Sequence, residues 1–298
     1  MKIVSSLWLD PILHTIKTSL ESGVNFWNAQ PSGYGVQLSS FFHMFSLSIL
    51  TAKINYKNIE LVTDPLGAEL CSILQLPFSN IQILSNDKKV PHEVWAYYKF
   101  KAYELQTEPF FHIDTDVFLN KRLPHHIENS NILVQDVETI EKTKRLVSLL
   151  YSDYEKLFNE NTPESYINYS PDQKAYCMGI FGGNDLEFIN QYSRTAIAWC
   201  ENETNWKDVH KKTIIMPKIE QQLLYCEAIK KDKEITCIFD KDMSRREVAE
   251  KYGYVHAQSS KYTPTYNKMI FDTLKYKFPS YHKIVEGNKG CLIKTLLA

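Results

Sequence analysis

The feature that most constrains this chain is a strand–helix–strand rhythm running from "KIVSSLWL" at residues 2–9 to "FFHIDTDVFL" at residues 110–119. Between them come a helix-period segment, "LSSFFHMFSLSILTAKIN", and a short strand, "NIELVTD", ending at Asp64. A helix opened by Pro65, a strand "NIQILS" and a helix "HEVWAYYKFKAYELQ" follow, the last with Trp95, Tyr98, Ala102 and Leu105 on one face. Apolar runs of strand length alternating with longer segments of helical period predict an α/β fold, a mainly parallel sheet covered by helices. In such sheets ligands bind beyond the carboxyl ends of the strands. Asp64 and Asp114 both stand at predicted strand ends.

After residue 137 the pattern loosens. "VETIEKTKRLVSLLYSDYEKLFN" reads as a charged amphipathic helix, and "CMGIFGGND" as a strand running into a Gly-Gly turn. "PKIEQQLLYCEAIKKD" reads as a further helix and "EITCIFD" as a further strand, before a tail of mixed loop and helix. No Pro/Gly/Ser-rich linker and no repeat divides the chain. The expected organisation is a catalytic domain over residues 1–265 with a helical extension over 266–298 packed on it.

Hydrophobic residues at 44% and aromatic residues at 13% supply a sizeable core and argue against disorder. A formal net charge of −1 lacks the basic imbalance that nucleic-acid binding normally leaves. The apolar run at the start stops at Asp10-Pro11, short of a secretory or membrane-spanning segment. Six scattered cysteines without a CxxC pair point to reduced, buried thiols rather than structural zinc. These features set the expectation of a cytoplasmic protein with no transmembrane segment, in peripheral contact with a membrane surface at most. Oligomeric state is not legible.

The acids at Asp114 and Asp116 form the sharpest local signal. At i and i+2 of a strand, two carboxylates face the same side and repel unless a cation joins them. Mg²⁺ and Mn²⁺ take one or two carboxylates and complete their shell with water and substrate phosphates. Spacing alone decides little, since Asp240 and Asp242 repeat it in "CIFDKD". The flanks separate the two pairs: Val117, Phe118 and Leu119 follow the first, which places its acids inside a buried segment where uncompensated charge is costly.

"WAYYKFKAYELQTEPFFHIDTDVFL" resembles the helix-to-strand segment of metal-dependent glycosyltransferases of the GT-A fold, glycogenin-like and bacterial galactosyltransferase-like enzymes above all. Three more segments resemble that family's motifs in the same order. "CMGIFGGND" is similar to its NAGVF turn, with Cys177 and Met178 replacing Asn and Ala. "IEQQLL" is similar to its DQxLL helix start, and "VHAQSSK" to its HxxGxxK segment, one residue shorter and without the glycine. The resemblance covers roughly residues 90–265.

What the resemblance implies is transfer of a sugar from a nucleotide-diphosphate sugar, with UDP as the expected nucleotide, to an unidentified saccharide or other acceptor, with retention of configuration. Asp114, Asp116 and His256 would be metal ligands for Mn²⁺ or Mg²⁺. Lys99 and Lys261 would face the phosphates or donor sugar, and Glu220 and Gln221 the transferred sugar. Thr115, Gly182 and Gly183 would border the donor, and Ser5, Leu7, Trp8 and Asp64 the base and ribose. Two rival readings stand beside this one. A nucleotidyltransferase would use a similar sheet and metal, but usually carries a Gly-rich loop after the first strand, where this chain has "SSLWLDP". A catalytically silent carbohydrate-binding protein would explain the departures at Cys177 and at the missing glycine.

Overall fold

A computed structural model describes residues 1–21, 38–85, 90–92, 94–139, 174–203, 216, 218–239 and 243–297. In chain order its elements begin with β1 (Lys2–Leu7), α1 (Asp10–Glu21), α2 (Leu38–Asn55), β2 (Ile59–Thr63), α3 (Pro65–Ile73) and β3 (Asn80–Ile83). Next are α4 (Tyr97–Glu104), β4 (Phe110–Ile113), β5 (Val117–Leu119), α5 (His125–Glu128), β6 (Leu133–Thr139) and β7 (Lys174–Gly183). Then come α6 (Leu186–Glu201), a π-helical turn (Lys218–Gln222), α7 (Leu223–Lys230), β8 (Thr236–Cys237) and α8 (Arg245–Tyr252). β9 (Tyr254–His256), a 3₁₀ turn (Gln258–Tyr262), α9 (Pro264–Lys277), α10 (Pro279–Gly287) and α11 (Lys289–Leu297) complete the chain.

The fold is α/β, as the rhythm predicts. Seven strands form a mostly parallel sheet in the order β3-β2-β1-β4-β7-β6-β8, and β5 and β9 form a separate two-stranded ribbon. The chain divides into two compact units. The first comprises residues 1–87, 112–124 and 245–298; the second comprises 88–111 and 125–244.

In the first unit β1 runs parallel to β2, with Ile3 opposite Ile59 and Leu7 opposite Thr63, and β2 runs parallel to β3. Every residue of β1 is buried, so alternation is absent, as expected for a strand covered on both faces. Asp64 caps α3: its Oδ1 accepts from the Gly67 N–H at 2.7 Å, and Pro65 occupies the first turn, where no amide is needed. Its Oδ2 accepts from the Leu9 N–H at 2.9 Å, which fixes the exit of β1. α2 is buried almost all round from Leu38 to Ala52 and packs on β5 and α9, a central helix rather than a surface one.

In the second unit β6 runs antiparallel to β7 and parallel to β8, with a bulge between Val134 and Asp136. α4 and α6 pack together over an aromatic cluster in which Tyr103 and Tyr192 lie edge-on to Phe181, with ring centroids 4.8 and 5.6 Å away.

Three expectations need correction. "FFHIDTDVFL" is two strands rather than one: the chain turns through Asp114, Thr115 and Asp116, and Val117 N–H closes the turn on Asp114 O at 3.0 Å. The helix expected over residues 92–106 is shorter, Tyr97–Glu104. Its N-terminal flank at Ala96 offers no side-chain cap, and Trp95 and Leu105 fall outside it. Gly182 and Gly183 end β7 instead of forming a separate turn. Their φ values of 150° and 140° favour glycine, and a Cβ on either would lie 2.1 Å from a carbonyl oxygen, that of Phe110 or Asn131. Residues 140–159 of the expected charged helix, and Asp240 with Asp242, lie outside the described residues.

Candidate metal centre

Residues of the first unit build the centre. β4 ends at Ile113 with its carbonyl 3.4 Å from the Ser5 hydroxyl of β1. The turn that follows is held from α2, where Ser48 Oγ donates to Val117 O at 2.6 Å and Asn55 Nδ2 donates to Leu119 O at 2.9 Å. β9 then pairs antiparallel with β5, Val117 opposite His256, and Ala257 N–H donates to Asp116 O at 3.0 Å. That register sets His256 beside Asp116 although they are far apart in sequence.

Asp114, Asp116 and His256 each offer a ligating atom, and the three atoms lie within 4.8 Å of one another. Asp116 is 3% exposed. Its Oδ1 lies 3.2 Å from His256 Nε2, and its Oδ2 accepts from Lys261 Nζ at 3.0 Å. Burial by itself would raise the Asp116 carboxyl, but His256 and Lys261 outweigh it and hold the acid ionised, well below the ordinary carboxylate range. Lys261 is held above the ordinary lysine range, burial being overcome by the Asp116 carboxylate. An ionised buried carboxylate, a second carboxylate and an imidazole form the oxygen-and-nitrogen donor set that Mn²⁺ or Mg²⁺ takes. The residues present fit such an ion.

Two residues here carried no sharp sequence signal. Gly253 joins α8 to β9 at φ 66°, where a Cβ would lie 2.5 Å from Lys121 N, and its carbonyl accepts from Asn120 N–H at 2.8 Å. The Tyr266 hydroxyl of α9 is pushed up to about 12 by burial and by the Asp116 charge, which places it in the field of the centre. Ser5, Leu7, Trp8 and Thr115, expected near the nucleotide, are all buried. Asp64 is also buried, with both carboxylate oxygens on backbone amides.

In the second unit Lys99 Nζ donates to Glu220 Oε1 at 2.7 Å and stands 5.1 Å from the centroid of the Trp95 ring. Glu220 is 1% exposed and sits in the π-helical turn, an irregularity often found at functional sites. Its backbone carbonyl accepts from the Tyr192 hydroxyl at 2.6 Å. Gln221 follows it, half-buried. Cys177 and Met178 are buried in β7, and Tyr192 also approaches Met178 Sδ at 3.7 Å. The fold therefore groups the sequence candidates into Asp114–Asp116–His256–Lys261 and Lys99–Glu220.

Among solved structures, this chain is similar to the crystal structure of mouse xyloside xylosyltransferase 1 in its apo form. The TM-score is 0.40 with 6% identity, over 88% of this chain and 93% of that one. It is also similar to the inositol-1-phosphate CTP transferase from T. maritima, at a TM-score of 0.36 and 11% identity over 95% of this chain and 96% of that one. No curated protein matches it in sequence. No helix among the described residues is long and apolar enough to cross a membrane. Residues 1–287 match the description "Family of unknown function (DUF6734)", and the chain belongs to that family.

Proposed function

We propose that the chain is a divalent-metal-dependent glycosyltransferase that takes a sugar from a nucleotide-diphosphate sugar, with UDP the nucleotide to test first. The observation that carries the reading is the clustering of Asp114, Asp116 and His256, with Lys261 on the same carboxylate. These four residues come from two sequence motifs whose order matches glycosyltransferases of the GT-A fold.

Asp114, Asp116 and His256 would hold the cation. When bound, it would act as a Lewis acid on the diphosphate leaving group. Lys261 brings a second positive charge to the same carboxylate and is the residue proposed to meet a diphosphate oxygen, adding electrostatic stabilisation where charge develops. Glu220, held by Lys99 at 2.7 Å, is proposed to orient the transferred sugar, with Gln221 beside it as a hydrogen-bonding amide.

A thermal-shift screen of UDP-, GDP- and CMP-sugars with and without Mn²⁺ tests the reading. The expected result is stabilisation by one nucleotide class that requires the metal. Stabilisation by none would overturn it. Pyrophosphate release from a nucleoside triphosphate would instead identify a nucleotidyltransferase, and donor binding without hydrolysis or transfer would identify a silent carbohydrate-binding protein.

A further inference from the structure

β4 carries a histidine where its neighbours are Phe110, Phe111 and Ile113, all fully buried. His112 itself is 1% exposed. An imidazole in such a place is costly unless its nitrogens are bonded. Ser6 of β1 meets one of them, with Oγ 2.9 Å from Nε2. The other, Nδ1, points along the chain to the first acid of the turn and lies 4.0 Å from Asp114 Oδ1. That separation exceeds a hydrogen bond but keeps the buried ring in electrostatic contact with the part-exposed carboxylate.

The carboxylate favours the tautomer with the proton on Nδ1, which leaves Nε2 to accept from the Ser6 hydroxyl. Ser6, His112 and Asp114 then form a directed line from the carboxyl end of β1 to the candidate metal ligand. Carboxylates that bind metals are commonly oriented by hydrogen-bonded outer partners, and loss of one typically costs about 10- to 100-fold in affinity.

We infer that His112 is a positioning residue that orients Asp114 toward the divalent cation, anchored from behind by Ser6. The inference rests on the metal-site reading above and adds two residues to it. Asn and Gln substitutions separate the two ends of the ring, because an Asn amide can stand in for the Nδ1 side and a Gln amide for the Nε2 side.

The test is calorimetric titration of the full chain with MnCl₂ alone, with the metal-free thermal midpoint recorded for every variant. Wild type is expected to bind. His112→Gln is expected to bind about 10- to 100-fold more weakly, His112→Asn within a few-fold of wild type, and Ser6→Ala more weakly than wild type but less severely than His112→Gln. Equal affinity in wild type and a folded His112→Gln overturns the inference and leaves the metal reading intact. Equal losses in the Gln and Asn variants overturn it too, by assigning His112 a packing role. Should neither His112 variant fold, unchanged affinity in Ser6→Ala overturns it and weakened affinity supports it. A wild-type chain that binds no Mn²⁺ overturns the metal reading first, and this inference with it.

Discussion

Asp185 shows how one carboxylate can serve two purposes that a pair of substitutions will separate. Its Oδ1 accepts from the Phe188 N–H at 3.1 Å and caps α6, and its Oδ2 takes Lys233 Nζ at 2.6 Å. Burial pushes its carboxyl up, but Lys233 and the Phe188 amide outweigh that and hold it below the ordinary value. A group depressed on folding stabilises fully above its unfolded value, near ~3.9, and the contribution fades as pH falls below that toward the folded value. Asp185→Asn keeps a good cap without the titrating charge. Urea melts should show this variant less stable than wild type at neutral pH, where the Lys233 pair contributes, with a shallower acid loss that brings the two together at low pH. Asp185→Ala removes the cap and is expected to cost about 1 kcal/mol at neutral pH. At Asp116 the matching physics is legible only in part from sequence. "DTD" between apolar flanks points to buried acids, but nothing in the spacing shows that Lys261 would sit on Oδ2 or that Tyr266 would lie in the same field.

The elements around these residues are legible where one periodicity runs long and obscure where two short ones meet. β1, β2 and α2 follow directly from their apolar patterns. "FFHIDTDVFL" looks like one strand because apolar residues flank both acids, yet the closing bond from Val117 N–H to Asp114 O bends it into a turn. The acids converge through that turn and not through strand pleating. β9 is three residues long, too short for any pattern to announce, and its pairing with β5 is what delivers His256. The glycines ending β7 show the same limit: "GG" suggests a turn, and only the approach of the Phe110 and Asn131 carbonyls explains why glycine is needed. Gly182→Ala should therefore destabilise the fold by more than the about 1–3 kcal/mol of backbone strain alone, because the new Cβ also overlaps Phe110 O. Urea denaturation followed by circular dichroism would show this as a lower midpoint, and an unchanged midpoint would contradict it.

At the scale of the whole molecule, the alternation of strands and helices was enough to predict an α/β fold with a mostly parallel sheet. The two-unit division is not legible, because each unit is assembled from separate stretches of chain and one of the four crossings, at Phe111–His112, falls inside β4 without a linker. Binding of the proposed cation would link the local centre to global stability. A ligand that binds only the folded state stabilises it by about 2.7 kcal/mol at 100 times its dissociation constant. Excess Mn²⁺ should thus raise the thermal midpoint of the wild-type chain, and a chelator should reverse the gain. The most direct test of the central claim is calorimetric binding of a UDP-sugar to wild type and Asp116→Ala, each with and without Mn²⁺, with circular dichroism confirming that the variant is folded. The account predicts binding to wild type only when Mn²⁺ is present, and none to the variant. Undiminished donor binding by a folded Asp116→Ala chain would contradict it.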